Sequence, residues 1–377
     1  MLIRHITLIV LCVLVSSCIG CSVARFHYEN DIYWGIVEST VGQEDSILIL
    51  EGSQHYSSTS EFLMNGGSET AIGICFERST HLRNRIWETV DLDQIEILSP
   101  ITPQSRVVSF TNGNHTLFKK DPSSFGEPFG ILHTPPFIQL LDLQVDIGFI
   151  VGVLPKTDDN DKSTNPYVQG IVLISNFFSD DIQLLDGHPE NSHTLPKFTR
   201  FGPYLELIRP EDSLYEILSS LSFKFTASKS SKKMRLISDV KDAIKTAKIQ
   251  MFMNPQDLIP GSILEVPLTI PQVPFVLQFS ESIVHKSIYR FLHSYYYSFM
   301  DAMQYLEPGM NIRLSSISPD CKYNLGEQRI EIVQDSIQNW NHLKELFIPS
   351  NVFTELATSP ILWISIITVI FLLYFIC

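Results

Sequence analysis

Ile147–Phe178 reads IGFIVGVLPKTDDNDKSTNPYVQGIVLISNFF. Two apolar, β-branched runs, Ile147–Leu154 and Val168–Phe178, flank Pro155–Pro166 (PKTDDNDKSTNP), a segment packed with turn formers. This pattern predicts two strands joined as a long-looped hairpin. A third strand candidate, Phe137–Leu143, lies just upstream. Asp158, Asp159 and Asp161 in the connection lack the ordered ligand positions of a calcium loop, so the reading there is a solvated tip.

Working outward toward the N-terminus, Ser46–Leu50 (SILIL) is a short continuous apolar run. Ser57–Asn65 (SSTSEFLMN) follows with helix-capping serines, Gly66-Gly67 would stop that helix, and Ala71–Phe76 (AIGICF) is apolar again. Strand, short helix, strand is the expected order, with both strands buried on both faces. Ser46–Phe76 resembles the strand–helix–strand core of protease-associated luminal domains. That resemblance implies a non-catalytic luminal recognition domain.

Working outward toward the C-terminus, Asp180–Pro210 is rich in glycine and proline and predicts surface loop. Met234, Ile237, Val240, Ile244 and Ala247 predict an amphipathic helix with a lysine-rich solvated face. Pro255–Phe279 carries five prolines and suits edge or extended segments. Ser280–Leu306 and Glu327–Phe347 both repeat apolar residues at helical spacing. The expected fold class is therefore α/β or α+β. A mixed sheet fills the N-terminal part (25–225), a more helical part follows (226–350), and a transmembrane-length helix closes the chain.

The chain has 377 residues, of which 44% are hydrophobic and 18% charged, with a formal net charge of −14. That balance excludes a disordered chain and argues against a nucleic-acid partner. Residues 1–24 carry a short apolar run, Ile6–Val15, and then small residues, the pattern of a signal peptide cleaved after Ala24 or, second, after Gly20. Leu356–Cys377 is uncharged and long enough, at 1.5 Å per residue, to cross a bilayer. It reads either as a bare membrane anchor in contact with lipid or as a GPI-attachment signal, with Ser350 and Asn351 as candidate attachment residues.

Those ends place the intervening chain in the secretory lumen or at the cell surface. There Cys75 and Cys321 are the expected disulfide pair, and Asn114 in Asn114-His115-Thr116 is the expected glycosylation site. The usual nucleophile, phosphate-loop, dinucleotide and zinc motifs are missing from the sequence. His188 and His193 lack the partners a metal would need, so no metal or cofactor is expected. Ser53 with His55, after the first apolar run, and His285 with His293, two turns apart on the expected long helix, are the candidate pocket residues. A thiol–imidazole pair of Cys75 with His133 or His285 is disfavoured, because a cysteine inside an apolar run is usually buried and inert. The functional expectation is a non-enzymatic, membrane-anchored ectodomain binding a protein partner. A luminal hydrolase assembled from distant residues is the alternative.

Overall fold

The structure is a computed structural model that describes residues 20–39, 45–79, 88–110, 117–136, 138, 141–152, 168–179, 195–209, 212–228, 244–245, 258, 260–268, 306–319 and 322–336. Its architecture is mostly β. Along the larger sheet the strands run β4 (Thr89–Asp91), β3 (Ser46–Ile49), β2 (Asp31–Glu38), β1 (Ser22–Tyr28), β12 (Thr199–Leu207), β11 (Val168–Ser179), β10 (Leu141–Val151), β14 (Ile263–Pro267), β6 (Val107–Phe110) and β7 (Leu117–Lys119). Short strands β5 (Glu96–Leu98) and β8 (Phe125–Gly126) pair with β1 and β12. A second sheet runs β13 (Ser222–Ala227), β15 (Asn311–Ile317), β16 (Asn324–Gln334) and β9 (Phe129–Thr134).

The expected hairpin is present as β10 paired antiparallel with β11, in a register that sets Ile147 opposite Leu173. Every residue of both strands is buried. The odd-numbered side chains Val145, Ile147, Phe149, Ile171 and Leu173 form one core with Leu314 and Leu325 of the second sheet. On the opposite face, Ile150, Val172 and Ile174 pack with Trp34, Phe62, Leu63 and Ile74. Gly148 lets this second face close, because a Cβ there would meet Val172 Cγ1 at 2.7 Å and Ile174 Cδ1 at 2.8 Å. Gln328 of β16 joins the two sheets. Its Oε1 accepts from Ser175 Oγ at 2.5 Å, and its Nε2 donates to the Gly202 carbonyl at 2.9 Å.

Several expectations are corrected. Ala71–Phe76 lies inside helix α2 (Gly67–Ser79). Asn65 and Gly66, the latter at φ 92°, separate α2 from α1 (Thr59–Met64). The apolar run then buries only Ala71, Ile74 and Cys75, a helical i, i+3, i+4 stripe that leaves Gly73 and Phe76 exposed. The strand–helix–strand resemblance therefore fails at its second strand.

The expected helical C-terminal part is also corrected. Within Glu327–Phe347 the described residues continue β16, where Gln328, Ile330 and Ile332 are buried while Arg329 and Glu331 are exposed. Ile330 and Val333 also fit a helical spacing, but the alternating burial is that of a strand. β14 lies between β10 and β6 and is therefore an interior strand; Pro260 precedes it and Pro267 is its last residue. The turn-rich segment contains β12, which takes up Gly202-Pro203 at a register irregularity against β11. A third helix, α3 (Leu214–Ser220), is capped by Ser213, whose side chain accepts from Glu216 N.

The expected cleavage point after Ala24 falls inside β1, where Ala24 is fully buried and paired with Tyr204 and Gly35. The expected Cys75–Cys321 bridge is corrected: Cys75 is bonded to Cys21, with 5.9 Å between the Cα atoms. Cys321 lies outside the described residues, as do Asn114, His285, His293, Ser350, Asn351, residues 356–377 and almost all of the two expected helices over 234–247 and 280–306. Among the described residues no helix is long and apolar enough to cross a membrane.

The bridge ties the first residue before β1 to the face of α2 across a separation of 54 residues. A loop of that length corresponds to about 4 kcal/mol in the chain-entropy model. Cys21→Ser is expected to lower unfolding stability by about that amount, measured by denaturant titration against the oxidised wild type. Reduction of the wild type should reproduce the loss.

Candidate functional site: a buried lysine–carboxylate cluster

β10 places Gln144 and Asp146 on the face opposite the apolar one that packs on the second sheet. The register sets Asn176 of β11 opposite both Gln144 and Thr199 of β12, so these side chains share that face. Glu265 of β14 lies opposite Gly148, two residue pairs along from Asp146 and on the same face. Continuing the parallel β14–β6 register brings Ser109 beside Glu265. Polar residues on five strands thus line one side of the sheet.

Lys120, immediately after β7, extends into this stripe with only 1% of its side chain exposed. Its Nζ lies 3.0 Å from Glu265 Oε2 and donates to Thr199 Oγ1 at 2.9 Å and to Asn176 Oδ1. All three ammonium hydrogens are thereby engaged. Asn176 Nδ2 donates onward to Asp146 Oδ2, and Gln144 Nε2 donates to Asp146 Oδ1 at 2.8 Å. Ser109 Oγ donates to Glu265 Oε2. Glu265 Oε1 is buried and has no hydrogen-bond partner among the described residues.

The electrostatics follow from burial. Desolvation is the largest influence on Asp146 and the Glu265 charge adds to it; together they outweigh Lys120 and the two amides, and the carboxyl is pushed up to about 7. Burial also raises Glu265, against the pull of the Lys120 charge. A separate buried carboxyl, Glu206, accepts from Cys21 N at 2.6 Å and Ser22 Oγ at 2.5 Å, yet burial still pushes it to about 7.

The residues singled out in the sequence do not converge here. Ser53 is buried, its hydroxyl donating to Trp34 O at 3.1 Å and accepting from Trp34 N at 2.9 Å, so it anchors the turn after β3 to β2. His55 packs on the Tyr56 ring, 4.1 Å between centroids. Cys75 carries no thiol, and His133 Nδ1 pairs instead with Asp335 at 2.8 Å on the exterior. A cavity of about 10 Å³ beside the disulfide, lined by Cys21, Ile72, Cys75, Phe76, Leu207 and Arg209, is too small for an organic substrate.

The cluster did leave a sequence signal. Asp142, Gln144 and Asp146 fall at alternate positions across the two expected strands Phe137–Leu143 and Ile147–Leu154, the alternation of a single strand with one polar face.

No protein-family model and no curated protein sequence matches the chain. Solved structures do share its fold. A protein described as Cg1458 superposes with a TM-score of 0.52 at 15% identity, covering 84% of this chain and 100% of that one. A maleylpyruvate hydrolase from Sphingobium gives 0.51 at 13% identity over 83% of this chain and 100% of its own. A fumarylacetoacetate hydrolase from psychrophilic Exiguobacterium antarcticum gives 0.50 at 15% identity over 84% and 100%. At these identities the likeness establishes the fold. The expected non-enzymatic binding ectodomain is overturned, because the solved structures that share this architecture along their whole length include hydrolases. The expected signal peptide, membrane anchor, glycan and single-pass location gain no support from the described fold.

The Sphingobium hydrolase has also been solved with a manganese(II) ion and pyruvate. Among the described residues of this chain, no group of three His, Cys, Asp or Glu side chains could hold a metal. Where two buried carboxylates do approach each other, a lysine ammonium already fills the oxygen cage. With Lys120 in place, the described residues do not fit a divalent cation.

The raised carboxyl groups set the pH dependence. Folded Asp146 keeps a proton up to about pH 7, whereas the unfolded chain releases it near the ordinary value of 3.8. Between those values the folded state binds more protons, so stability falls as pH rises through the window. Glu206 acts in the same sense. Urea titrations from pH 5 to 7 should show declining stability. Asp146→Asn should reduce that slope by about 1.4 kcal/mol per pH unit.

Proposed function

We propose that the chain is an enzyme performing proton transfer next to a carbonyl in a small oxo-acid, in a hydrolytic or isomerising reaction. The observation that carries this reading is the buried cluster itself: Lys120 Nζ lies 3.0 Å from Glu265 Oε2 and is linked through Asn176 to Asp146, whose carboxyl burial raises toward neutrality. A carboxyl poised near neutrality can give and take a proton within one reaction cycle. The names of the neighbours favour the same substrate class: maleylpyruvate and fumarylacetoacetate hydrolases, and a 2-hydroxyhepta-2,4-diene-1,7-dioate isomerase with a TM-score of 0.50.

In this reading Lys120 stabilises negative charge growing on the substrate's carbonyl oxygen. All three ammonium hydrogens are engaged, so a substrate oxygen would reach Lys120 by displacing one of its present acceptors. Glu265 keeps the ammonium aimed, and Gln144 and Asn176 keep Asp146 in register with it.

The test is to incubate the full-length chain with maleylpyruvate or fumarylacetoacetate and follow loss of the conjugated absorbance. Turnover is expected, and Asp146→Asn is expected to lower it by about 100-fold or more while a cooperative melt is retained. Absence of turnover by a cooperatively folded wild type, or full activity in the variant, would contradict the reading.

A further inference from the structure

We infer that the Lys120 ammonium occupies the place of a divalent cation, and that the oxygens around it form a latent metal site which the lysine keeps closed. Three oxygens from three strands surround Nζ: Glu265 Oε2 at 3.0 Å, Thr199 Oγ1 at 2.9 Å and Asn176 Oδ1. Ser109 Oγ bonds the same Glu265 oxygen, and Asp146 stands one hydrogen bond behind Asn176. An all-oxygen set of carboxylate, amide and hydroxyl groups is the donor chemistry of Mg²⁺, Ca²⁺ and Mn²⁺, not of zinc.

A second observation points the same way. Glu265 Oε1 is fully buried, and among the described residues nothing donates to it. A lone ammonium reaches one carboxylate oxygen, whereas a metal ion with an open coordination sphere can take both.

The charges are placed as a cation site requires: the Lys120 ammonium sits against the Glu265 carboxylate, and Asp146 is reached through Asn176. Among the described residues, the groups facing Nζ and Asp146 are Glu265, Asn176, Thr199, Gln144 and Ser109, from β14, β11, β12, β10 and β6, and Lys120 is the cation bonded to them.

This inference is independent of the proposed activity, because its readouts are metal binding and melting. Equilibrium dialysis against MnCl₂ and thermal melts with MnCl₂ or EDTA are carried out on the full chain. The wild type is expected to bind no manganese at the cluster and to melt identically in both buffers. Lys120→Ala is expected to bind one Mn²⁺ per chain and to melt higher with manganese than with EDTA. Adding Glu265→Gln to that variant should abolish the binding. Should Lys120→Ala fail to fold without metal, refolding in MnCl₂ is expected to rescue it. Wild-type manganese binding that Glu265→Gln removes would overturn the inference. So would a Lys120→Ala chain that neither binds manganese when folded nor is rescued by it.

Discussion

Lys120 sets a full positive charge where water does not reach, and Glu265, 3.0 Å away, answers it. Taking either ion out of water costs several kcal/mol, recovered only when the pair is close and the remaining donors and acceptors are satisfied. The sheet provides that arrangement through register. β11 and β12 bring Asn176 and Thr199 side by side, β14 brings Glu265 next to β10, and the turn out of β7 delivers the lysine from above. A slip of one residue in any of these pairings would carry the polar partner to the opposite face, into the apolar core shared with the second sheet. The ion pair and the strand order therefore specify each other.

The same geometry explains which parts of the fold were legible. The β10–β11 hairpin shows in the sequence because both strands are β-branched and flanked by turn formers. β12 stayed hidden because Gly202-Pro203 looks like a loop, and only a register irregularity admits a proline to an interior strand. β16 stayed hidden because Ile330 and Val333 fit a helical spacing as well as Ile330 and Ile332 fit an alternating one. α2 was misread for the opposite reason: AIGICF is short enough for its burial to be counted as continuous, when the structure buries only one stripe of it.

The candidate site was missed for a related reason. Lys120, Asp146, Asn176 and Glu265 are scattered over the chain, without a motif spacing, and become neighbours only through sheet pairing. Asp142, Gln144 and Asp146 are a readable hint, because three polar residues at alternate positions inside an apolar stretch mark a strand with one face turned to polar company. The cysteine reading failed on a boundary. Treating residues 1–24 as removable discarded Cys21, which is the actual partner of Cys75.

The Lys120–Glu265 interaction is tested most directly by a double-mutant cycle on unfolding free energy, using Lys120→Met, Glu265→Gln and the double variant. Each single change leaves an uncompensated buried charge or an emptied polar cage, and should cost about 3–5 kcal/mol. The double variant removes both charges and should cost far less than the sum. Strictly additive losses would contradict the account, because they would mean that the two side chains do not depend on each other inside the sheet.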